Sequence, residues 1–249
     1  MNRKDFEITL NGWLRPEAFS DAAINGLQVE GREEIRKVAT GVSACAALFR
    51  EALAWGADAV VVHHGLLWKG MDLDIRLAHR ERLKLLLAHD LNLFAWHLPL
   101  DAHPELGNNA QIAKKLGLAD IEPFGAYHGT LIGMKGMLHA PLPELLARVR
   151  GLVGEPVIHL PGGPETVRTV GVVSGGAQRE FIQAPGAGLD AYLTGEISEY
   201  NVELAAELKC HFIAAGHYRT ERFGIQALTE RIHSELKLEA RYFDLPHPY

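Results

Sequence analysis

Short β-type runs alternate with helical stretches along most of this chain, and that rhythm restricts the fold more than any other feature. IRKVATGV at 35–42 reads as a strand, ACAALFREALAWG at 44–56 as a helix, ADAVVVHHG at 57–65 as a strand, LAHRERLKLLLAHD at 77–90 as a helix and LNLFAWH at 91–97 as a strand. Such alternation predicts a mainly parallel sheet covered by helices. NAQIAKKLG at 109–117 closes this half as a helix, with Gly117 where a left-handed helix end favours glycine. Residues 3–12 form a short opening helix, and the turn-rich FSDAAINGLQVEGREE leads into the first strand.

The texture changes between about 125 and 165. HGTLIGMKGML alternates like a strand pair, PLPELLARVRGLVG continues as a helix, and EPVIHLPGG ends in a turn. Its Pro and Gly content marks a lobe boundary. A second α/β rhythm follows: TVRTVGVVSGG as a strand and glycine turn, AQREFIQA as a short helix, LDAYLTGEI as a strand, and ELAAELKCHFIAAGH as helix and strand before a terminal helix. The sequence therefore predicts an α/β protein of two similar lobes, residues 1–124 and residues 125–249, the second including the middle segment. Open parallel sheets bind ligands beyond the carboxyl ends of their strands.

Bulk properties narrow the function. A formal net charge of −6 works against direct nucleic-acid binding, which draws on Lys and Arg neutralising phosphates. No window approaches the roughly 18 uncharged apolar residues of a membrane span, and MNRKDFEITLNGWL does not read as a signal peptide. Cys45 and Cys210 lie far apart in apolar stretches and form no local metal or redox pair, so a reducing cytoplasm is expected.

The strand ends carry the chemistry. AVVVHHG reads as a buried strand from which His63 and His64 emerge, with Gly65 letting the chain turn. Adjacent strand residues point to opposite faces, so each ring would serve a different ion; the bland alternative is one packed and one solvated histidine. FAWHLPLDAH places His97 and Asp101 just past the next strand. Far along the chain, FIAAGHYRTE places His217 and Glu221 at helical i, i+4 spacing. Imidazoles mixed with carboxylates suit Zn, Mn, Fe, Co or Ni. Five ligands exceed what a four-coordinate zinc with a water needs and suit two divalent ions about 3.5–4 Å apart, where a bound hydroxide is a nucleophile. His97 is the candidate for moving a proton, as a further ligand or an outer hydrogen-bond donor in the other readings. SGG at 174–176 could form an amide nest for phosphate or a tight turn, and Thr194 and Glu196 could touch substrate or cap a helix. The remaining histidines, among them His103, His159, His211 and His247, share no spacing and read as surface or packed side chains.

NGLQVEG at 25–31, VVVHHGLLW at 60–68, HLPLDAHPELGNNAQIAKKLG at 97–117, TGE at 194–196 and GHYRTERFG at 216–224 together resemble the NIF3 family, also called GTP cyclohydrolase I type 2-like or DUF34. The resemblance implies two α/β lobes facing a metal-containing cleft, with a metal pair on His63, His64, Asp101, His217 and Glu221. It implies the compact form of the family, lacking an inserted middle domain, and a ring-like homohexamer. Family labels range from GTP cyclohydrolase to DNA damage resistance and interaction with transcription factors. Two functions follow as expectations: a di-metal hydrolase of a small nucleotide-like or heterocyclic substrate, or a noncatalytic metal-binding scaffold or metal chaperone.

Overall fold

The computed structural model describes residues 1–72 and 74–245, so His247 lies outside the described residues. Its contacts divide the chain into two compact units, one of residues 1–100 with 225–245 and one of residues 101–224.

The first unit holds a five-stranded sheet in the order Gly26–Val29, Asn92–Ala95, Ala59–His64, Lys37–Ser43, Glu239–Tyr242. The first pairing is antiparallel and the other three are parallel. The helix Ala46–Trp55 starts where the Cys45 thiol accepts the Leu48 amide and ends at Gly56 in the left-handed region. Its Leu48, Phe49 and Ala52 pack with Val60, Val62 and Leu93 in one apolar core. Alternation along Ala59–His64 then sends Val61 and His63 to the opposite face, where Phe6 of the helix Arg3–Leu14 packs on Phe94. The sequence reading took 19–34 as a turn-rich approach; it also contains the four-residue edge strand Gly26–Val29, too short and glycine-led to stand out.

The second unit holds six strands in the order Ala119–Tyr127, Thr130–Pro141, Thr166–Val172, Ala191–Thr194, His211–Ala214, Ile158–Leu160. Here the expectation of a mainly parallel sheet is corrected: two pairings are parallel and three antiparallel. One of the three has a local cause: His128 and Gly129 both adopt positive φ and close a tight hairpin between the first two strands. The helices Asn108–Leu116 and Leu142–Val153 cover this sheet through Ile112, Leu116, Leu145 and Val149, which pack on Val170 and Leu193. AQREFIQA forms only a 3₁₀ turn at Glu180–Gln183. The helix His217–Leu236 starts at His217, so His217 and Glu221 lie one turn apart on it. No helix among the described residues is long and apolar enough to cross a membrane.

Candidate functional site

In the first unit, His63, His64 and His97 come together. Their ring centroids lie 4.6, 5.1 and 5.6 Å apart pairwise, and one nitrogen from each lies within 4.8 Å of the others, a spacing that could hold a metal ion. Each ring is held through Nδ1. His63 is fully buried and its Nδ1 is 3.1 Å from the Trp96 carbonyl oxygen. A carbonyl only accepts, so the hydrogen sits on Nδ1 and the lone pair on Nε2. His64 Nδ1 is 3.1 Å from Ser43 Oγ, its neighbour in strand register. His97 Nδ1 is 2.9 Å from Asp21 Oδ1.

The turn-rich approach segment supplies much of this support. Gln28 Oε1 accepts the Leu66 and Leu67 amides, clasping the chain just after His64. Gly65 leaves room for this clasp, since a Cβ there would overlap the Gln28 amide and displace it. Asn25 Oδ1 accepts the His97 amide, and Asn25 Nδ2 donates to Asp21 Oδ2. Burial alone would push the Asp21 carboxyl up, but the His97 hydrogen bond and charge, with donors from Asn25 and Ala23, bring it down to about 2.

In the second unit, Asp101, His217 and Glu221 come together, and Glu196 joins them. His217 Nε2 is 3.1 Å from Glu221 Oε2, and His217 Nδ1 is 2.6 Å from Glu196 Oε1. Burial opposes charge on His217, yet these carboxylates outweigh it and raise the ring to about 9. Carboxylate oxygens of Asp101 and Glu221, both buried, lie within 4.8 Å of each other. Asp101 Oδ1 accepts from Asn108 Nδ2 at 2.9 Å and Ser174 Oγ at 3.2 Å, so its orientation is fixed. Two buried carboxylates within 4.8 Å of each other, one of them beside an imidazole, are a donor set that calls for a cation, and the residues therefore fit a divalent metal.

The glycine turn after Val172–Val173 has a structural role in place of the expected alternative of a phosphate nest. The Ser174 amide donates to Asn109 Oδ1 and the Gly175 amide to Thr220 Oγ1. Gly175 has φ +68°, and a Cβ there would overlap Glu221 Oε1 and crowd His217. Thr194 Oγ1 donates to the Gly175 carbonyl, so Thr194 braces the turn. His103 Nδ1 accepts the Glu105 and Leu106 amides and shapes its own loop. Sequence reasoning did not single out Asp21, Asn25, Gln28, Asn108 and Asn109; the available signal was the adjacent asparagine pair opening a helix, which the structure buries fully.

The profile of Duf34/NIF3 (NGG1p interacting factor 3) matches residues 1–247. The chain belongs to the Duf34/NIF3 family. Within the family it is 46% identical over 254 residues, all of both chains, to the GTP cyclohydrolase 1 type 2 homolog of Escherichia coli (strain K12). The protein of that same name from Haemophilus influenzae is 39% identical over 251 residues, again the whole of both. Among solved structures, protein ybgI, of unknown function, matches the whole of both chains at a TM-score of 0.95 and 44% identity. A protein from Thermus thermophilus matches the whole of both at 0.92 and 36%. Reduced HcgD from Methanocaldococcus jannaschii shares the fold at 0.86 and 24%, over 98% of each chain.

Proposed function

We propose that the protein is a metal-dependent hydrolase of a small nucleotide-like or heterocyclic substrate, with His63, His64, Asp101, His217 and Glu221 holding two divalent metal ions and His97 carrying a proton. The carrying observation is how the imidazoles are held. His63 gives its Nδ1 hydrogen to a carbonyl, and His217 sets Nδ1 against the Glu196 carboxylate. Metal-binding histidines are oriented in this way through one ring nitrogen, and the other nitrogen of His217 lies 3.1 Å from Glu221 Oε2, itself a candidate ligand. Bound divalent ions would supply Lewis acidity and an activated water. The chain's own groups do the rest: Ser43 and Trp96 orient the imidazoles, Asn108 and Ser174 fix the Asp101 carboxylate, and His97 accepts a proton at Nε2. The name of the Escherichia coli relative, GTP cyclohydrolase 1 type 2 homolog, supports purine nucleotides as the first substrates to try. The reading includes a cytoplasmic, ring-like homohexamer, which light scattering of the purified chain tests directly.

The deciding experiment is metal content per chain after purification without added metal, followed by hydrolysis assays on a nucleotide panel with that metal restored. Two ions per chain, with turnover lost in Asp101→Ala, is the expected result. Two tightly held ions without turnover would favour the noncatalytic scaffold or metal chaperone, including a link to DNA damage resistance. Fewer than one ion per chain under nonchelating conditions would overturn the metal reading itself.

A further inference from the structure

Asp21 makes contacts that a surface turn residue does not need. It is 4% exposed, and its carboxylate accepts four hydrogen bonds. Oδ1 takes the Ala23 amide at 3.0 Å and His97 Nδ1 at 2.9 Å; Oδ2 takes Asn25 Nδ2 at 3.0 Å and the Leu98 amide at 3.0 Å. The segment carrying it is tied to the loop that follows His64: Lys69 Nζ donates to the Asp21 carbonyl at 2.6 Å, the Lys69 amide to the Ala22 carbonyl at 2.7 Å, and the Ile24 amide to the Leu67 carbonyl at 3.1 Å. Trp68 of that loop packs edge-on against the His97 ring at 5.1 Å, which hinders rotation of the imidazole.

We propose that Asp21 is the positioning residue for His97, fixing the ring with its hydrogen on Nδ1 so that Nε2 is the atom that accepts a proton. An ionised carboxylate has no hydrogen to give, so the hydrogen between Asp21 and His97 belongs to Nδ1. Three further donors hold the carboxylate in place whether or not the ring is charged. When a water attacks substrate, its oxygen forms the new bond and its proton moves to Nε2. The resulting imidazolium faces the Asp21 carboxylate, which stays ionised, and the proton then passes from Nε2 to the leaving group. The catalytic part of this inference rests on the proposed role of His97; the tautomer part does not.

The test separates the two. Long-range ¹H–¹⁵N spectra of the metal-free, ¹⁵N-labelled full chain at pH 8 report which ring nitrogen carries hydrogen, with His97→Gln assigning the signal. The wild-type protein should show hydrogen on Nδ1 of His97, and Asp21→Asn, whose amide can donate to the ring, should shift it toward Nε2 with the melting temperature recorded alongside. Hydrogen on Nε2 in the wild type, or an unchanged signal in Asp21→Asn, would overturn the proposal. The wild-type spectrum decides it even if the variant does not fold. On a substrate from the hydrolysis panel, Asp21→Asn should lower kcat about 10- to 100-fold with little change in KM; an equal rise in KM alone would assign Asp21 to substrate binding. Absence of metal or turnover in the wild type would defeat the hydrolase reading while leaving the tautomer result legible.

Discussion

The two units bring opposite chemistry to their clusters. In the first, three imidazoles meet, held by a carbonyl, a hydroxyl and one carboxylate. In the second, two carboxylates, Glu221 and Glu196, flank a single imidazole, and a third, Asp101, lies within 4.8 Å of Glu221. Neutral rings can sit together at little electrostatic cost, whereas two carboxylates within 4.8 Å repel by about 3 kcal/mol at an effective dielectric near 20. Placed lone pairs are therefore what the first cluster would offer a cation, and negative charge what the second would offer. Without metal, the Asp101 and Glu221 pair is under electrostatic load, offset in part by the His217 imidazolium.

The largest expected effect breaks the second cluster through its backbone. Gly175→Ala puts a methyl group against Glu221 in a left-handed conformation that L side chains avoid, while Gly70→Ala in the first unit meets the same conformational penalty with nothing within 4 Å. The conformational term alone is about 1–3 kcal/mol. Gly175→Ala should exceed Gly70→Ala in lost stability and also lose bound metal, as read by urea denaturation and metal analysis. Equal effects would mean that the turn does not set the position of Glu221.

A change of sign sharpens the contrast. In Asp101→Asn the side-chain oxygen can keep its bonds from Asn108 and Ser174, while an amide replaces the charged oxygen near Glu221. Metal-free Asp101→Asn should gain up to about 3 kcal/mol over the wild type, the size of the repulsion removed, while losing metal affinity. His63→Gln in the first unit should gain nothing. Denaturation in chelator measures both, and a destabilised metal-free Asp101→Asn would refute the idea of an electrostatic load.

Asp21, a buried carboxylate of the first unit, behaves differently because it is fully hydrogen bonded. Asp21 titrates at about 2 in the folded chain, against an ordinary value of 3.8. Its folded value lies below its unfolded one, so its contribution is fully present above about pH 4 and is lost as pH falls from about 4 to 2. The shift corresponds to about 2 kcal/mol. The stability gap between wild type and Asp21→Asn should narrow over that window, and a gap independent of pH would show that the two states bind the proton equally.

Much of this contrast could be read from residue order. His63, His64 and Asp101 follow apolar strands, and His217 with Glu221 has helical spacing, because burial and periodicity act on neighbours along the chain. The first sheet's parallel pairings were legible for the same reason. What stayed hidden depends on contacts between distant segments: Asp21 reaches His97 across 76 residues and Ser174 reaches Asp101 across 73. HGTLIGMKGML read as a strand pair, but Thr130–Pro141 is one strand whose hairpin partner is the preceding Ala119–Tyr127; a two-residue turn at His128 and Gly129 leaves little trace between them. Glu196 was seen at a strand end, but its pairing with His217 required the fold to bring two strand ends together.

The smallest effects test whether the hydrogen-bond partner of Nδ1 matters more when it is charged. Glu196 is half exposed, so Glu196→Gln should leave stability nearly unchanged while weakening metal binding about tenfold or more, since the carboxylate no longer raises the basicity of His217. Ser43 is neutral, and its hydroxyl can either donate to or accept from His64 Nδ1, so it fixes the ring less firmly. Ser43→Ala should therefore weaken binding by less than Glu196→Gln, with a cost near the roughly 0.5–1.5 kcal/mol of one neutral hydrogen bond. Calorimetric titration of each metal-free variant with zinc orders the two directly. If Ser43→Ala proved the more damaging, orientation within the imidazole cluster would outweigh charge in the carboxylate cluster, and the contrast drawn between the two clusters would be reversed.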